Sequence, residues 1–180
     1  MNMESYSQGA MQPRRSGRTI GYVGHDVPVE LILAAGAIPT AIEGRSDQST
    51  PHADRYLEAT FLPASRSIAE QWLNGELEDL EAVIFSRSDD SAQRLYYYLC
   101  ELQRRGLCGG PKPLLYDIAS CNRASSLSHT IASTRHLARE LGASDDALTS
   151  AVQRVRERME LLVTTAESTL TQQPARGSFA

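Results

Sequence analysis

The sequence lacks several features that would place it in a familiar class of protein. Its three cysteines, Cys100, Cys108 and Cys121, have no CxxC spacing, so neither a disulfide scaffold nor a zinc site is indicated. No apolar run approaches the roughly 20 residues that cross a bilayer, and the N-terminus has no apolar signal core. The net charge of −4 provides no overall basic surface. We therefore expect a cytoplasmic protein that binds neither nucleic acid nor a membrane.

Common catalytic motifs are also missing. The chain has no P-loop, no GxGxxG after a strand, no HExxH and no GxSxG. His129 and His136 fall on one predicted helix, and we expect these two isolated imidazoles to be solvated. Cys121 follows a predicted strand, where a ligand or nucleophile could lie, but no histidine is adjacent to it in the sequence. The sequence therefore identifies no catalytic residue.

The chain is organised around a strand–helix–strand unit. A β-prone run at 19–23 is followed by a turn at Gly24, a short helix opened by Pro28, and a second β-prone run at 38–42. Asp26 or Val27 is the expected helix cap. Such a unit should have a right-handed crossover and a parallel sheet, whose functional edge lies at the carboxyl ends of the strands.

Further strands and helices alternate along the rest of the chain. Apolar runs at 81–86 and 113–118 predict two more strands, and a short helix is predicted at 52–59. The predicted fold is α/β: a small doubly wound parallel sheet of about four strands, Rossmann-like, followed by a C-terminal helical hairpin. We expect a disordered N-terminal arm at 1–17, an α/β domain at 18–141, a C-terminal helix at 142–171 and a disordered tail at 172–180.

The C-terminal helix has an apolar seam with heptad-like spacing. Ser144 is its expected cap. Two interpretations remain open: the seam packs on its own domain, or it docks a partner subunit or a second copy of the chain. The seam residues are Leu148, Val152, Val155, Met159, Leu162 and Ala166.

Several segments resemble one known family. The sequence VPVELILAAGAIP at 27–39 is similar to the opening motif PEELIxAAGxxP of the 2-hydroxyacyl-CoA dehydratase and benzoyl-CoA reductase family, which includes the 2-hydroxyglutaryl-CoA dehydratase D-component. The likeness continues in family order through LEAVIFS at 80–86, RLYYYL at 94–99 and LLYDI at 114–118. It covers about 18–141. Subunits of that family are longer and have two α/β domains, so the chain resembles the N-terminal half of one.

The resemblance implies an iron–sulfur site that this chain does not reproduce. Family subunits commonly hold a [4Fe–4S] cluster through three cysteines. Leu62 stands at the position of the first cysteine and Asp89 at that of the second, while the third would come from the second domain. Leucine cannot ligate iron, and a lone carboxylate is a poor substitute for a thiolate. We expect no cofactor in this chain, with a [4Fe–4S] cluster possible only on a partner subunit.

Polar residues should nevertheless converge where the strands end. Arginines there can bind a carboxylate or phosphate, and helix N-termini add positive potential, which suits an acyl-CoA or a small carboxylate. The alternative is that Asp89 and Asp90 only cap a helix and His25 only forms a turn. The predicted substrate-binding residues are His25, Asp26, Arg66, Arg87, Asp89 and Arg123, with Ser120 and Asn122 beside them.

Two functions follow from these expectations. In the first, the chain is a non-redox or accessory subunit of a dehydratase- or reductase-like lyase complex, helps to bind the substrate, and is not active alone. In the second, it is a cluster-free binding or scaffold protein with no catalytic activity of its own.

Overall fold

A computed structural model of the chain describes residues 17–119, 121 and 123–171. The predicted arm, except for Gly17, and the predicted tail lie outside the described residues. Four strands form one parallel sheet in the order β2-β1-β3-β4, which confirms the predicted fold class. The strands are β1 (Thr19–Val23), β2 (Ile38–Ala41), β3 (Ala82–Ser86) and β4 (Lys112–Tyr116).

Helices connect and follow the strands. A short 3₁₀ turn at Ala53–Arg55 precedes the second helix. No helix among the described residues has the length and apolar character needed to cross a bilayer. The helices are α1 (Val29–Ala34), α2 (Pro63–Leu73), α3 (Asp90–Arg104), α4 (Ala124–Leu141) and α5 (Asp145–Thr171).

The strand order explains which helix lies on which face of the sheet. The connection from β1 to β2 crosses the sheet in one direction, and the connections to β3 and β4 cross it in the other. Right-handed crossovers therefore place α1 on one face of the sheet and α2 and α3 on the other face. The core accordingly has two parts. One contains Ile68 of α2 and Leu95 of α3. The other contains Leu31 of α1 and Leu137 of α4.

The connections change direction across the sheet after β2, and this change places a topological switch point between β1 and β3. In open α/β sheets, ligands bind outside the carboxyl ends of the strands at such a point. All five residues of β3 are buried, and the last of them is the polar Ser86. The switch point therefore begins with a buried hydroxyl.

Two local predictions were wrong. The cap of α1 is Pro28, and the Asp26 carboxylate instead accepts a hydrogen bond from the Ser88 hydroxyl. The helix predicted at 52–59 is only the 3₁₀ turn, because the buried Glu70 carboxylate binds the backbone N–H groups of His52 and Ala53.

The C-terminal helix packs on the domain only near its start. The Ser144 hydroxyl accepts a hydrogen bond from the Ala147 N–H, as predicted for a cap. Ala151 is fully buried, and α5 packs against α1. Further along, Met159 and Leu162 are each 57% exposed. The second half of the predicted seam is therefore apolar surface.

Candidate functional site

Four residues meet at the switch point between the ends of β1 and β3, the position where open α/β sheets form their ligand crevice. Gly24 (φ +109°) lets β1 turn close to Ser86, so close that an added Cβ would lie 2.7 Å from the Ser86 Cβ. The Ser88 hydroxyl donates to Asp26 Oδ2 at 2.5 Å, and it lies 2.9 Å from the Ser86 hydroxyl. We call these four residues, Gly24, Asp26, Ser86 and Ser88, the switch-point crevice.

The hydroxyl groups of the crevice keep the Asp26 carboxyl ionised. Partial desolvation acts to raise the pKa of Asp26, but the hydroxyls of Ser86 and Ser88, the backbone and the charge of His25 together hold it below its ordinary value. His25 lies exposed in the same turn. The crevice therefore contributes negative charge beside an exposed imidazole.

A second polar cluster lies at the ends of β3 and β4. Arg87 forms an ion pair with Asp117, and His129 Nε2 of α4 lies 3.1 Å from the other carboxylate oxygen of Asp117. Partial burial acts to raise the pKa of Asp117, but hydrogen bonds from Arg87 and His129 lower it overall. The same ion pair raises the pKa of Arg87. Asp117 thus holds an arginine and a histidine at one edge of the sheet.

This cluster borders a cavity of about 480 Å³ that we call the β4 cavity. Its volume is within the range of small-molecule sites, roughly 300–1,000 Å³. Ser125 and Ser126, in the first turn of α4, are among its lining residues. The others are Arg87, Ile118, Ala119, Cys121 and His129.

The predicted site residues do not all converge. Arg87 and Asp26 lie at the carboxyl edge, and Arg123 is exposed at the N-cap of α4. Arg66 instead pairs with Asp54 and donates to the Glu58 carbonyl at 2.9 Å, so its guanidinium holds the segment before α2. Two further predicted residues, at 120 and 122, lie outside the described residues.

Asp89 caps α3. Its Oδ1 accepts hydrogen bonds from the backbone N–H groups of Ser91 at 2.9 Å and Ala92 at 3.2 Å. This geometry matches a standard N-cap. The carboxylate thus has a structural role, and its contribution to ligand binding stays a prediction.

Asp89→Ala is expected to lower the free energy of unfolding by about 1 kcal/mol, because two N–H groups of α3 lose their acceptor. Asp90→Ala is the matched control, since Asp90 lies one residue later and would lose only a few tenths of a kcal/mol of helix-dipole stabilisation. Urea unfolding of both variants measures the difference. Equal losses would contradict the capping role.

The thiols of the chain do not form the donor set that a [4Fe–4S] cluster needs. Cys100 lies in the second half of α3, Cys108 precedes β4 and Cys121 follows it, so β4 separates the last two. Burial raises the pKa of the Cys100 and Cys108 thiols, which disfavours the thiolate form that binds iron. Within the described ranges, no three His, Cys, Asp or Glu side chains are grouped so that they could hold a metal ion. The residues present therefore do not fit a cluster.

Sequence reasoning missed two members of the site. Asp117 directly follows β4, which ends at Tyr116, whereas the predicted strand at 113–118 included Asp117 and so did not place it at the carboxyl edge. His129 was expected to be solvated, yet it contacts Asp117 from the second turn of α4. Its partner is twelve residues away in sequence, so neighbouring residues give no indication of the contact.

A family model matches most of the chain. The family model described as 2-hydroxyglutaryl-CoA dehydratase, D-component, matches residues 25–179. The match includes the motif at 27–39 and extends through α5, beyond the segment at 18–141 that resembles the family. No curated protein is similar enough in sequence to match the chain.

Proposed function

The chain belongs to the 2-hydroxyglutaryl-CoA dehydratase D-component family, and from that premise we propose that it is a non-redox, accessory subunit of a dehydratase- or reductase-like complex. In this role it helps to bind an acyl-CoA or carboxylate substrate. The observation that carries the proposal is Arg87, a cation beside the β4 cavity at the carboxyl edge of a sheet of this family.

The β4 cavity has the chemistry of an anion site. The guanidinium of Arg87 presents five N–H donors in a fixed plane, so the contact to Asp117 leaves others for a carboxylate or phosphate. Its side chain is 46% exposed. Ser125 and Ser126, in the first turn of α4, add hydroxyl donors to the same lining, and a helix N-terminus favours an anion.

The non-redox part of the proposal depends on the residue types at the family's cluster positions. Leu62 occupies the N-cap position of α2, and its side chain has no atom that can bind iron. The Asp89 carboxylate already accepts two backbone hydrogen bonds. Neither supplies sulfur. If the complex contains a cluster, we propose that a partner subunit holds it.

A partner would have apolar surface to bind on α5. Val152, Met159 and Leu162 are each about half exposed. The family description names a component of an enzyme, which supports assembly with another chain. A cytoplasmic location fits three free cysteines, which are usual in a reducing compartment.

Anaerobic purification followed by iron and sulfide analysis tests the cluster-free proposal. We expect far less than one iron per chain, because the thiols of this chain are separated and two are disfavoured as thiolates. Iron and sulfide in near-equal, stoichiometric amounts in the isolated chain would overturn the proposal. Activity that appears only when a second polypeptide is added would support the accessory role.

Arg87→Gln tests the anion site. Removing a charge-assisted hydrogen bond of about 1.5–3 kcal/mol should weaken binding of an acyl-CoA or a small carboxylate by tenfold or more. Isothermal titration calorimetry measures the change. Arg139→Gln, an exposed arginine near the other end of α4, is the matched control and should bind as the wild type does. Equal affinity in both variants would remove Arg87 from the site.

A cluster-free scaffold is the alternative function. It is favoured by the neutralisation of Arg87 by Asp117 and by the capping role of Asp89, since both leave less charge free for a ligand. Under this alternative, neither acyl-CoA nor carboxylate binds saturably to the wild type, while association with another polypeptide persists.

A further inference from the structure

A second concave surface lies away from the carboxyl edge of the sheet. It is formed between the 3₁₀ turn and the second half of α3, and it has a volume of about 580 Å³. The helix α3 starts at the carboxyl edge, so its second half lies toward the opposite edge. We call this surface the tyrosine groove, defined by Arg55, Tyr56, Tyr97, Tyr98, Arg105 and Leu107.

Outside α4 and α5, most of the exposed large hydrophobic side chains line the tyrosine groove. Before α4, the described residues include four large hydrophobic side chains that are at least about one third exposed. Three of the four line this groove: Tyr56 at 36%, Tyr97 at 55% and Leu107 at 44%. The fourth is Leu62. Such concentration on one concave surface is typical of a binding site.

The aromatic wall of the groove is held in place. The Tyr98 hydroxyl donates to Glu58 Oε1 at 2.8 Å, and its ring packs edge-on against Phe61 with the centroids 5.0 Å apart. The Tyr97 ring packs edge-on against Tyr96 at 5.2 Å. Because these contacts already hold the tyrosine rings, stacking a ligand on them would cost little side-chain entropy.

The groove carries positive charge in a chain that is negative overall. Arg55 and Arg105 line it, and among the described residues neither guanidinium forms a hydrogen bond or an ion pair. The one acidic lining residue, Glu101, accepts two hydrogen bonds of 2.7 Å from Arg104. Arg104 thus engages this carboxylate, and the charge of Arg105 also acts on it, so the two lining arginines leave the groove with a net positive charge.

We propose that the tyrosine groove binds a planar aromatic ring that carries a phosphate or carboxylate group. The ring would stack on the tyrosines, and the anionic group would receive N–H donors from an arginine. A nucleoside phosphate and an aryl carboxylate share this chemistry. The proposal is independent of the β4 cavity and of the function proposed above.

Binding of adenosine monophosphate and of phenylacetate to the full chain tests the proposal. The two probes distinguish a nucleoside phosphate from an aryl carboxylate as the ligand. Saturation-transfer NMR and calorimetry should show saturable binding of at least one probe. Adenosine and ribose 5-phosphate should each bind at least tenfold more weakly than adenosine monophosphate, because each lacks one half of the recognised chemistry.

Variants locate the site. Arg105→Gln and Tyr97→Ala should each lower affinity for the bound probe by tenfold or more at unchanged melting temperature. Arg139→Gln should leave it unchanged. Loss of affinity in Arg87→Gln but not in the groove variants would place the probe in the β4 cavity and overturn the proposal. If the Arg105 variant is unstable, the affinity of Arg55→Gln for the probe tests the contribution of the groove arginines instead. Failure of both probes to bind, or affinity that is indifferent to the groove variants, would overturn the proposal.

Discussion

Gly24→Ala is expected to destabilise the protein by about 3 kcal/mol and to open the switch-point crevice. Two costs add at this position. A side chain at positive φ costs about 1–2 kcal/mol, and overpacking a tight contact costs about 1–3 kcal/mol. The contact is with the Ser86 Cβ, only 2.7 Å from the added atom, and both strands end in buried backbone that cannot easily move. Urea unfolding measures the total.

Gly36→Ala separates the two costs. Gly36 also has a positive φ, of +72°, but no atom lies within 4 Å of an added Cβ, so only the backbone term of about 1 kcal/mol should appear. The double variant Gly24→Ala with Ser86→Gly removes the overlapping Cβ. In a double-mutant cycle it should recover the packing cost and leave the backbone cost. Identical losses for Gly24→Ala and Gly36→Ala would show that the close approach has no energetic effect.

The sheet could be predicted because its signals are local. The strands are short runs rich in apolar residues, and the motif at 27–39 places a helix between the first two. Handedness rules then determine the faces on which the helices lie. The position of Asp26 and Arg87 at the carboxyl edge follows from the strand ends alone.

The partners of the polar side chains could not be predicted in the same way. Arg66 was expected at the ligand edge, but its guanidinium instead binds Asp54 and the Glu58 carbonyl. Both partners lie between β2 and α2, in a segment whose sequence has no periodic pattern. Asp117 and His129 meet only because α4 folds back beside β4. Such pairings depend on the path of loops, and a sequence pattern contains little information about that path.

Glu70→Ala is expected to cost about 3 kcal/mol, because it removes the acceptor for buried N–H groups, each worth about 1–3 kcal/mol when unsatisfied. The Glu70 side chain is 4% exposed. Its carboxylate accepts from the backbone N–H of Ala53 at 2.8 Å and of His52 at 2.9 Å, and it contacts His52 Nδ1 at 2.7 Å. These bonds fix the segment that leads from β2 to α2. Chemical unfolding and hydrogen exchange at residues 52–53 measure the loss.

Glu70→Gln distinguishes the charge of this side chain from its hydrogen bonds. The glutamine oxygen can still accept both backbone N–H groups, and its amide can form a hydrogen bond with the His52 imidazole, so the loss should be about 1 kcal/mol at neutral pH. A loss as large as that of the alanine variant would mean that the charge, not the hydrogen bonds, holds the segment.

The pH dependence of the Glu70→Gln effect gives the sharper test. Burial acts to raise the pKa of Glu70, but the N–H of Ala53 and the imidazole and N–H of His52 lower it overall. A carboxyl whose folded-state pKa is depressed contributes stability above its unfolded pKa, roughly 4.3, and loses that contribution as the pH falls through the folded value. The stability difference between wild type and Glu70→Gln should therefore shrink below about pH 4. Other carboxylates titrate equally in both proteins and cancel, so a difference that stays constant would show that Glu70 is not stabilised as the anion.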